Sequence, residues 1–129
     1  MLELSNEQRL MEKLWASAEA RLELPAHMAE QFFQFQGPMP QGHFDNRRSY
    51  HRFYLRDRAI LTRKDSTLGV CTTDVSRQGI GFLTPVQLLP KEQVQLLLTS
   101  GIEYDLQITR CRRRGDSFFE CGGKFVVGP

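Results

Sequence analysis

From residue 53 onward, apolar and polar residues alternate with a period of two. The clearest case covers residues 102–109, where Ile102, Tyr104, Leu106 and Ile108 all fall on one side. This pattern is typical of a strand with one buried face. Similar segments, separated by turn residues, occupy residues 53–62, 68–74, 80–82, 94–98 and 119–125. Six short antiparallel strands of this kind predict a mainly β fold, a small closed β-barrel.

The N-terminal residues show helical periodicity instead. Ser5 and Gln8 have the spacing of a capping box, and an apolar stripe follows at helical spacing as far as about Leu22. A second short helix is predicted from Ala26 to the glycine and prolines that begin at Gly37. The Met, Trp and Phe residues of both helices are expected to pack on the barrel.

These patterns divide the chain into a helical extension with its linker, residues 1–40, and a β-barrel domain, residues 41–129. The segment 37–46 is polar and contains glycine and proline, so we expect an exposed linker. The arginines that follow it are therefore expected to lie on a loop.

Composition limits the class of protein. A chain of 129 residues with 40% hydrophobic residues fits one globular domain. No apolar run approaches the ~20 residues that cross a membrane, and residues 1–5 lack the features of a secretory signal, so a cytoplasmic protein without membrane insertion is expected. Three cysteines without a close pair, Cys71, Cys111 and Cys121, argue against a disulfide framework and a zinc site. Buried free thiols are expected, with the last two facing each other across a hairpin.

The basic residues are clustered although the net charge is only +2. One cluster covers residues 47–58 and another residues 110–114. The first contains Arg48 and Arg52, four residues apart, with Arg47 in front. A guanidinium offers planar, paired donors to a phosphate and can also stack on a base. This cluster therefore suits a ligand that carries phosphates and flat rings.

A second polar motif follows at the end of a predicted strand. Asp74 and Ser76 are two residues apart, so their side chains point the same way in extended backbone, and Gly79 then permits a turn. A carboxylate can accept both N–H donors, N1–H and N2–H, on the Watson–Crick edge of guanine, and the serine hydroxyl can supply a further contact. Gly81 is expected to keep the surface flat beside it.

Taken together, the motifs Arg48-x-x-x-Arg52 and Asp74-x-Ser76-x-x-Gly79 resemble those of the PilZ domain, a family that binds cyclic di-GMP. The resemblance extends from Arg47 to Val126, and the segment Gly123-Lys124-Phe125-Val126 is similar to the closing strand of PilZ barrels. It implies a non-enzymatic bacterial receptor of a second messenger, with a six-stranded antiparallel PilZ-type barrel and no cofactor. PilZ domains often carry a C-terminal helix that covers one barrel opening, and here the N-terminal helices are expected to take its place.

The resemblance also implies roles for single residues. Arg48 and Arg52 would hold phosphates and stack on guanines, while Asp74, Ser76 and Gly79 would line the base-binding surface. Arg47 is similar to the position at which arginine favours an intercalated ligand dimer. Without ligand, we expect the arginine segment to be mobile, and ligand binding would order it and alter the helical extension, which is joined to it by the linker. The altered surface would signal to a protein partner downstream.

Other classes of protein remain open. A small basic barrel could bind single-stranded nucleic acid through Tyr50, Phe53 and Tyr54, although the modest net charge weighs against it. A nucleotide-independent adaptor, like divergent PilZ proteins of pilus assembly, would lack the arginine motif that is present here. An enzyme is the least supported class, because His27, His43 and His51 have no nucleophilic partner at a recognisable spacing.

Overall fold

The computed structural model describes residues 5–38 and 52–126. Within them lie two helices, α1 (Asn6–Ser17) and α2 (Ala26–Phe32). The same residues form nine strands: β1 (Ala20–Arg21), β2 (Gln36–Pro38), β3 (Phe53–Leu55), β4 (Arg58–Arg63), β5 (Ser66–Val75), β6 (Gly79–Thr84), β7 (Gln93–Leu98), β8 (Glu103–Arg113) and β9 (Phe119–Phe125).

Six of the strands close into an antiparallel barrel in the order β5, β4, β7, β8, β9, β6, and β6 pairs with β5 to complete it. The predicted six-stranded barrel is confirmed. Every second side chain along each strand points into the barrel and fills its interior, as the alternation predicts. Leu88 enters this core from the connection between β6 and β7 and is fully buried. The core is thus closed by a connecting segment as well as by the strands.

The first predicted strand, residues 53–62, is divided at Arg56 and Asp57 into β3 and β4, and both halves pair with β5. Thr72 of β5 fills the interruption. Its buried hydroxyl donates to the Leu55 carbonyl oxygen and accepts from the Asp57 N–H at 3.2 Å. The alternation of residues 53–62 predicts Phe53 on the buried side, but Phe53 is exposed, because β3 is not one of the six strands that enclose the core.

The extension begins with the predicted capping box. The Ser5 hydroxyl oxygen accepts from the Gln8 N–H at 3.1 Å, and the Gln8 side chain accepts from the Ser5 N–H at 2.9 Å. However, α1 ends at Ser17 and not near Leu22, because the next residues form β1 parallel to β5, with Ala20 opposite Leu68. Backbone pairing to the barrel here replaces the last predicted helical turn.

The extension is held on the outer wall of the barrel. The Trp15 ring covers Gly69, where an added Cβ would lie 2.9 Å from two ring carbons. Next to it, an apolar cluster joins the extension to outward side chains of β5 and β6 and to the residue before β9. Its buried members are Leu22, Phe32, Cys71, Leu83 and Phe118. We expected the helices to cover a barrel opening, but these contacts lie on the wall.

The second helix, α2, begins at Ala26 as predicted and ends at Phe32, followed by β2. Strand β2 pairs with β3, so Gly37 lies opposite Tyr54. Gly37 and Pro38 therefore belong to a paired strand and not to a linker, although Pro38 is exposed as expected. The expectation that only a linker joins the helices to the arginine segment is wrong, because β1, β2 and the apolar cluster all attach the extension to the barrel wall. The division at residue 40 stays a prediction.

Two of the three cysteines, Cys71 and Cys121, are buried as expected, whereas Cys111 is half-buried. Cys111 lies directly opposite Cys121 in the β8–β9 pair, as expected, and no cysteine of the described residues forms a disulfide. Burial raises the pKa of Cys71 to about 12, and burial together with the Cys111 hydrogen bond raises the pKa of Cys121. These two thiols are therefore protonated and weakly nucleophilic at neutral pH.

Candidate functional site

The predicted site residues fall into two groups. Arg47 and Arg48 lie outside the described residues, as does most of the 37–52 segment that was expected to become ordered, so these expectations stay predictions. Arg52, Asp74, Ser76, Gly79 and Gly81 are all described, and they lie around the point where β3, β5 and β6 meet.

The structure brings Arg52 and Asp74 together. Tyr54 of β3 lies opposite Asp74, which places Arg52, one residue before the strand, beside the carboxylate. Arg52 Nε and Asp74 Oδ2 are 2.8 Å apart, and the two side chains are 20% and 18% exposed. This is a short, charge-assisted contact in a partly dehydrated setting, where removing one partner leaves the other charge poorly solvated.

A β-bulge directs Asp74 outward. The register of β5 against β6 shifts between Thr72 and Asp74. In unbroken alternation Asp74 would follow Val70 and Thr72 into the core, but the extra residue reverses the side on which it projects. Asp74 therefore lies opposite Gly81 on the outer face. The same bulge supplies Thr73, whose hydroxyl donates to Asp74 Oδ1 at 2.7 Å. Thr73 could not be selected from the sequence, since a hydroxyl next to a carboxylate carries no signal of its own.

Gly81 makes room for this carboxylate. A Cβ added at Gly81 would lie 2.7 Å from Asp74 Oδ1 and 2.7 Å from Thr73 Oγ1. Any larger residue would push both side chains away from their present positions. Gly81 thus permits the geometry of the carboxylate, and its predicted contact with a ligand stays a prediction.

Ser76 and Gly79 form the turn between β5 and β6. The Ser76 N–H donates to the Gly79 carbonyl oxygen at 2.9 Å, and the Ser76 hydroxyl oxygen accepts from the Gln78 N–H at 3.3 Å. Serine is favoured in turns for this reason. A Cβ at Gly79 would lie 2.1 Å from the Gly123 carbonyl oxygen, so this glycine is required by strand packing. Both residues have structural roles, and their ligand roles stay predictions.

Arg56, in the same basic cluster, contacts aromatic side chains and not Asp74. Its guanidinium lies over three aromatic rings, 4.5 Å from the centroid of Phe32 and 4.9 Å from those of Phe35 and Tyr54. Gln36 Nε2 donates to the Arg56 carbonyl oxygen at 2.9 Å. Stacking between a cation and aromatic faces stabilises such contacts. Arg56 therefore fastens the extension to β3, four residues from Arg52.

Other kinds of site find little support. Across residues 5–38 and 52–126 there is no group of histidine, cysteine or acidic side chains placed to hold a metal ion. Among those residues we also find no helix with the length and apolarity needed to cross a membrane.

The six-stranded barrel, with Arg52 and Asp74 paired on its outer face, defines a class of small antiparallel β-barrel domains. The family model for the PilZ domain matches residues 46–129, about two thirds of the chain. The chain belongs to the PilZ domain family. PilZ domains are non-catalytic and bind cyclic di-GMP, so the chain is, in general terms, a cyclic di-GMP-binding receptor domain. Comparison with curated proteins finds no match.

Proposed function

We propose that this chain binds cyclic di-GMP on the outer face of β5 and β6 and signals the bound state to a protein partner in a bacterial cytoplasm. The observation that carries the proposal is the contact between Arg52 and Asp74 beside Gly81. It places a cation that can bind phosphate beside a carboxylate that can accept the N–H donors of guanine. Family membership and this geometry support the same ligand.

The chemistry of each residue suits its part. An ionised carboxylate has about four lone-pair positions, and the described contacts of Asp74 with Arg52 and Thr73 use one on each oxygen. The remaining lone pairs can accept N1–H and N2–H of guanine. The Arg52 guanidinium, which forms the ion pair with Asp74, carries five N–H donors in a planar fork, a geometry that suits a phosphate.

Arg47 and Arg48 would complete the phosphate-binding segment, and Arg47 favours an intercalated ligand dimer. Ser76 would bind through its hydroxyl proton, since its oxygen already accepts from Gln78. Gly79 would act chiefly by holding the turn that presents Ser76.

Titration calorimetry with cyclic di-GMP tests this function. We expect saturable binding, with about two ligand molecules per chain if the intercalated dimer forms, and much weaker binding of cyclic di-AMP, which lacks the paired N–H donors. Equal affinity for the two ligands would contradict the guanine-binding role of Asp74. Tighter binding of a short single-stranded RNA, with a steep dependence on salt, would favour a nucleic-acid-binding barrel instead.

The proposed signal passes from the arginine segment to the extension. Strand β3 follows Arg52 directly and pairs with β2, and Arg56 stacks on Phe32 and Phe35 of the extension. A ligand that binds Arg52 more tightly in one conformation shifts the chain toward it. Because β2 and β3 are hydrogen-bonded, a change at Arg52 has a physical route to α2.

Hydrogen exchange measures this change. On addition of cyclic di-GMP, amides of residues 37–54 should gain protection, and amides around Phe32 should change with them. Arg56→Ala removes the stacked cation but leaves the β2–β3 pairing, so the arginine segment should still gain protection while the response of α2 becomes weaker. A response confined to residues 74–81 in the wild type would mean that the chain binds ligand without this switch.

A further inference from the structure

Four residues form one row across the outer face of the barrel. Asp74 of β5 pairs with Gly81 of β6, Gly81 pairs with Gly122 of β9, and Gly122 pairs with Arg110 of β8. Directly paired residues share a face of the sheet. Neighbouring strands lie about 4.8 Å apart, so the path along the curved sheet from Asp74 to Arg110 is about 14 Å. The two charged residues thus flank a pair of glycines.

A β-bulge places Arg110 on this face, as another β-bulge places Asp74. The register of β8 against β9 shifts between Ile108 and Arg110, as that of β5 shifts before Asp74. Without the bulge, Arg110 would follow Leu106 and Ile108 toward the core. Bulges often re-aim a side chain beside a functional site. Two of them direct opposite charges to the two ends of one row.

Both side chains lie over the glycines between them. A Cβ at Gly122 would lie 3.2 Å from Arg110 Nε and 3.5 Å from Arg110 Cγ, while a Cβ at Gly81 would meet the Asp74 carboxylate. Thr109, the extra residue of the bulge, donates from its hydroxyl to the Gly122 carbonyl oxygen at 3.0 Å. Asp74 and Arg110 therefore approach the centre of the row from opposite sides.

Arg110 is not used by the fold in the way its neighbours are. Arg113 stacks on Phe119, and Arg114 Nε lies 2.9 Å from Glu120 Oε2. Arg110 is exposed, and within the described part of the chain it makes no ion pair or hydrogen bond. An exposed guanidinium beside bare backbone can move to meet a ligand at little cost.

We propose that Arg110 is a specificity-determining residue that donates to N7 and O6 of a guanine whose opposite edge is bound by Asp74. This inference rests on the proposed function. Guanine presents two adjacent acceptors, N7 and O6, and paired donation from arginine is the commonest specific contact to them. Adenine carries an N6 amino donor in place of O6, which would face the guanidinium unfavourably. The two ends of the row would thus recognise the two edges of one base.

The test compares cyclic di-GMP with its 7-deaza analogue, which lacks the N7 acceptor. Wild-type protein should bind cyclic di-GMP about tenfold more tightly than the analogue, as expected for a contact of this kind. Arg110→Ala should weaken binding of cyclic di-GMP about tenfold and bind the two ligands equally. Arg110→Lys keeps the charge but not the fork of donors, and it should also lose most of the preference.

Arg112→Ala is the matched control. Arg112 is also exposed, lies two residues further along β8 and carries the same charge. However, it lies outside the row and pairs directly with Glu120 of β9. It should retain the preference for cyclic di-GMP over the analogue. If the Arg110→Ala protein keeps both wild-type affinity and the N7 preference, the role proposed for Arg110 is overturned, while the proposed function is not. Wild-type protein that binds no cyclic di-GMP would overturn the proposed function and this inference together.

Discussion

Gly79→Ala is expected to lower the free energy of unfolding by at least about 1–3 kcal/mol, the usual cost of overpacking. The reason is that the new Cβ would lie 2.1 Å from the Gly123 carbonyl oxygen and 3.0 Å from Lys124 Cα. These are backbone atoms of the paired strand β9, so relief requires the two strands to separate. Urea unfolding followed by circular dichroism measures the loss.

Gly81→Ala is the matched control for this substitution. It adds the same methyl group two residues further along β6, where the close atoms are the ends of the Asp74 and Thr73 side chains. Side chains can move more easily than backbone, so most of the stability should be retained, while displacement of the Asp74 carboxylate should weaken cyclic di-GMP binding. The prediction for Gly79 fails if both variants unfold at the wild-type urea midpoint.

The second large effect is expected on ligand affinity. Arg52→Ala and Asp74→Ala should each weaken cyclic di-GMP binding on the order of ten- to a hundredfold, since a hydrogen bond to a charged group contributes about 1.5–3 kcal/mol. Arg48→Ala should have a similar effect if Arg48 binds phosphate as its motif implies. Titration calorimetry measures each affinity, and urea unfolding checks that the variants are folded.

The double variant shows whether the ion pair survives in the complex. The described contacts leave lone pairs on both Asp74 oxygens, so we expect Arg52 to stay in place and orient the carboxylate. Each single substitution then already disturbs both contacts, and the double variant should lose less than the two single losses combined, by about 0.5–3 kcal/mol. A double loss greater than that combination would mean that ligand binding breaks the pair.

Arg63→Ala is the control for the loss of a partly buried ion pair as such. Arg63 Nε and Glu92 Oε2 are 2.7 Å apart, with side-chain exposures of 28% and 14%, close to those of the Arg52 and Asp74 pair. Arg63 lies at the far end of β4, opposite the start of β5. The variant should lose some stability and bind cyclic di-GMP as the wild type does. A loss of affinity here would indicate that destabilisation alone weakens binding.

Local rules were enough to predict much of this protein. The period of two between residues 53 and 125 is set by which face of each strand is buried, so the barrel strands could be located from the pattern alone. The Ser5 and Gln8 capping box depends only on groups three residues apart. Arg52 and Asp74 could be selected because their chemistry, in motifs similar to those of a known family, suits a guanine nucleotide.

Tertiary structure decided what depends on pairing between distant segments. Alternation alone would direct Asp74 and Arg110 into the core; the bulges that turn them outward exist only because β5 pairs with β6 and β8 with β9. The sequence indicates only that Gly79 suits a turn. The structure shows that the Gly123 carbonyl oxygen leaves no room for a Cβ at this position. Helix α1 ends early because β5 offers backbone partners to β1. In each case the sequence determined the local preference, and contacts with a remote strand determined which way the side chain or backbone turned.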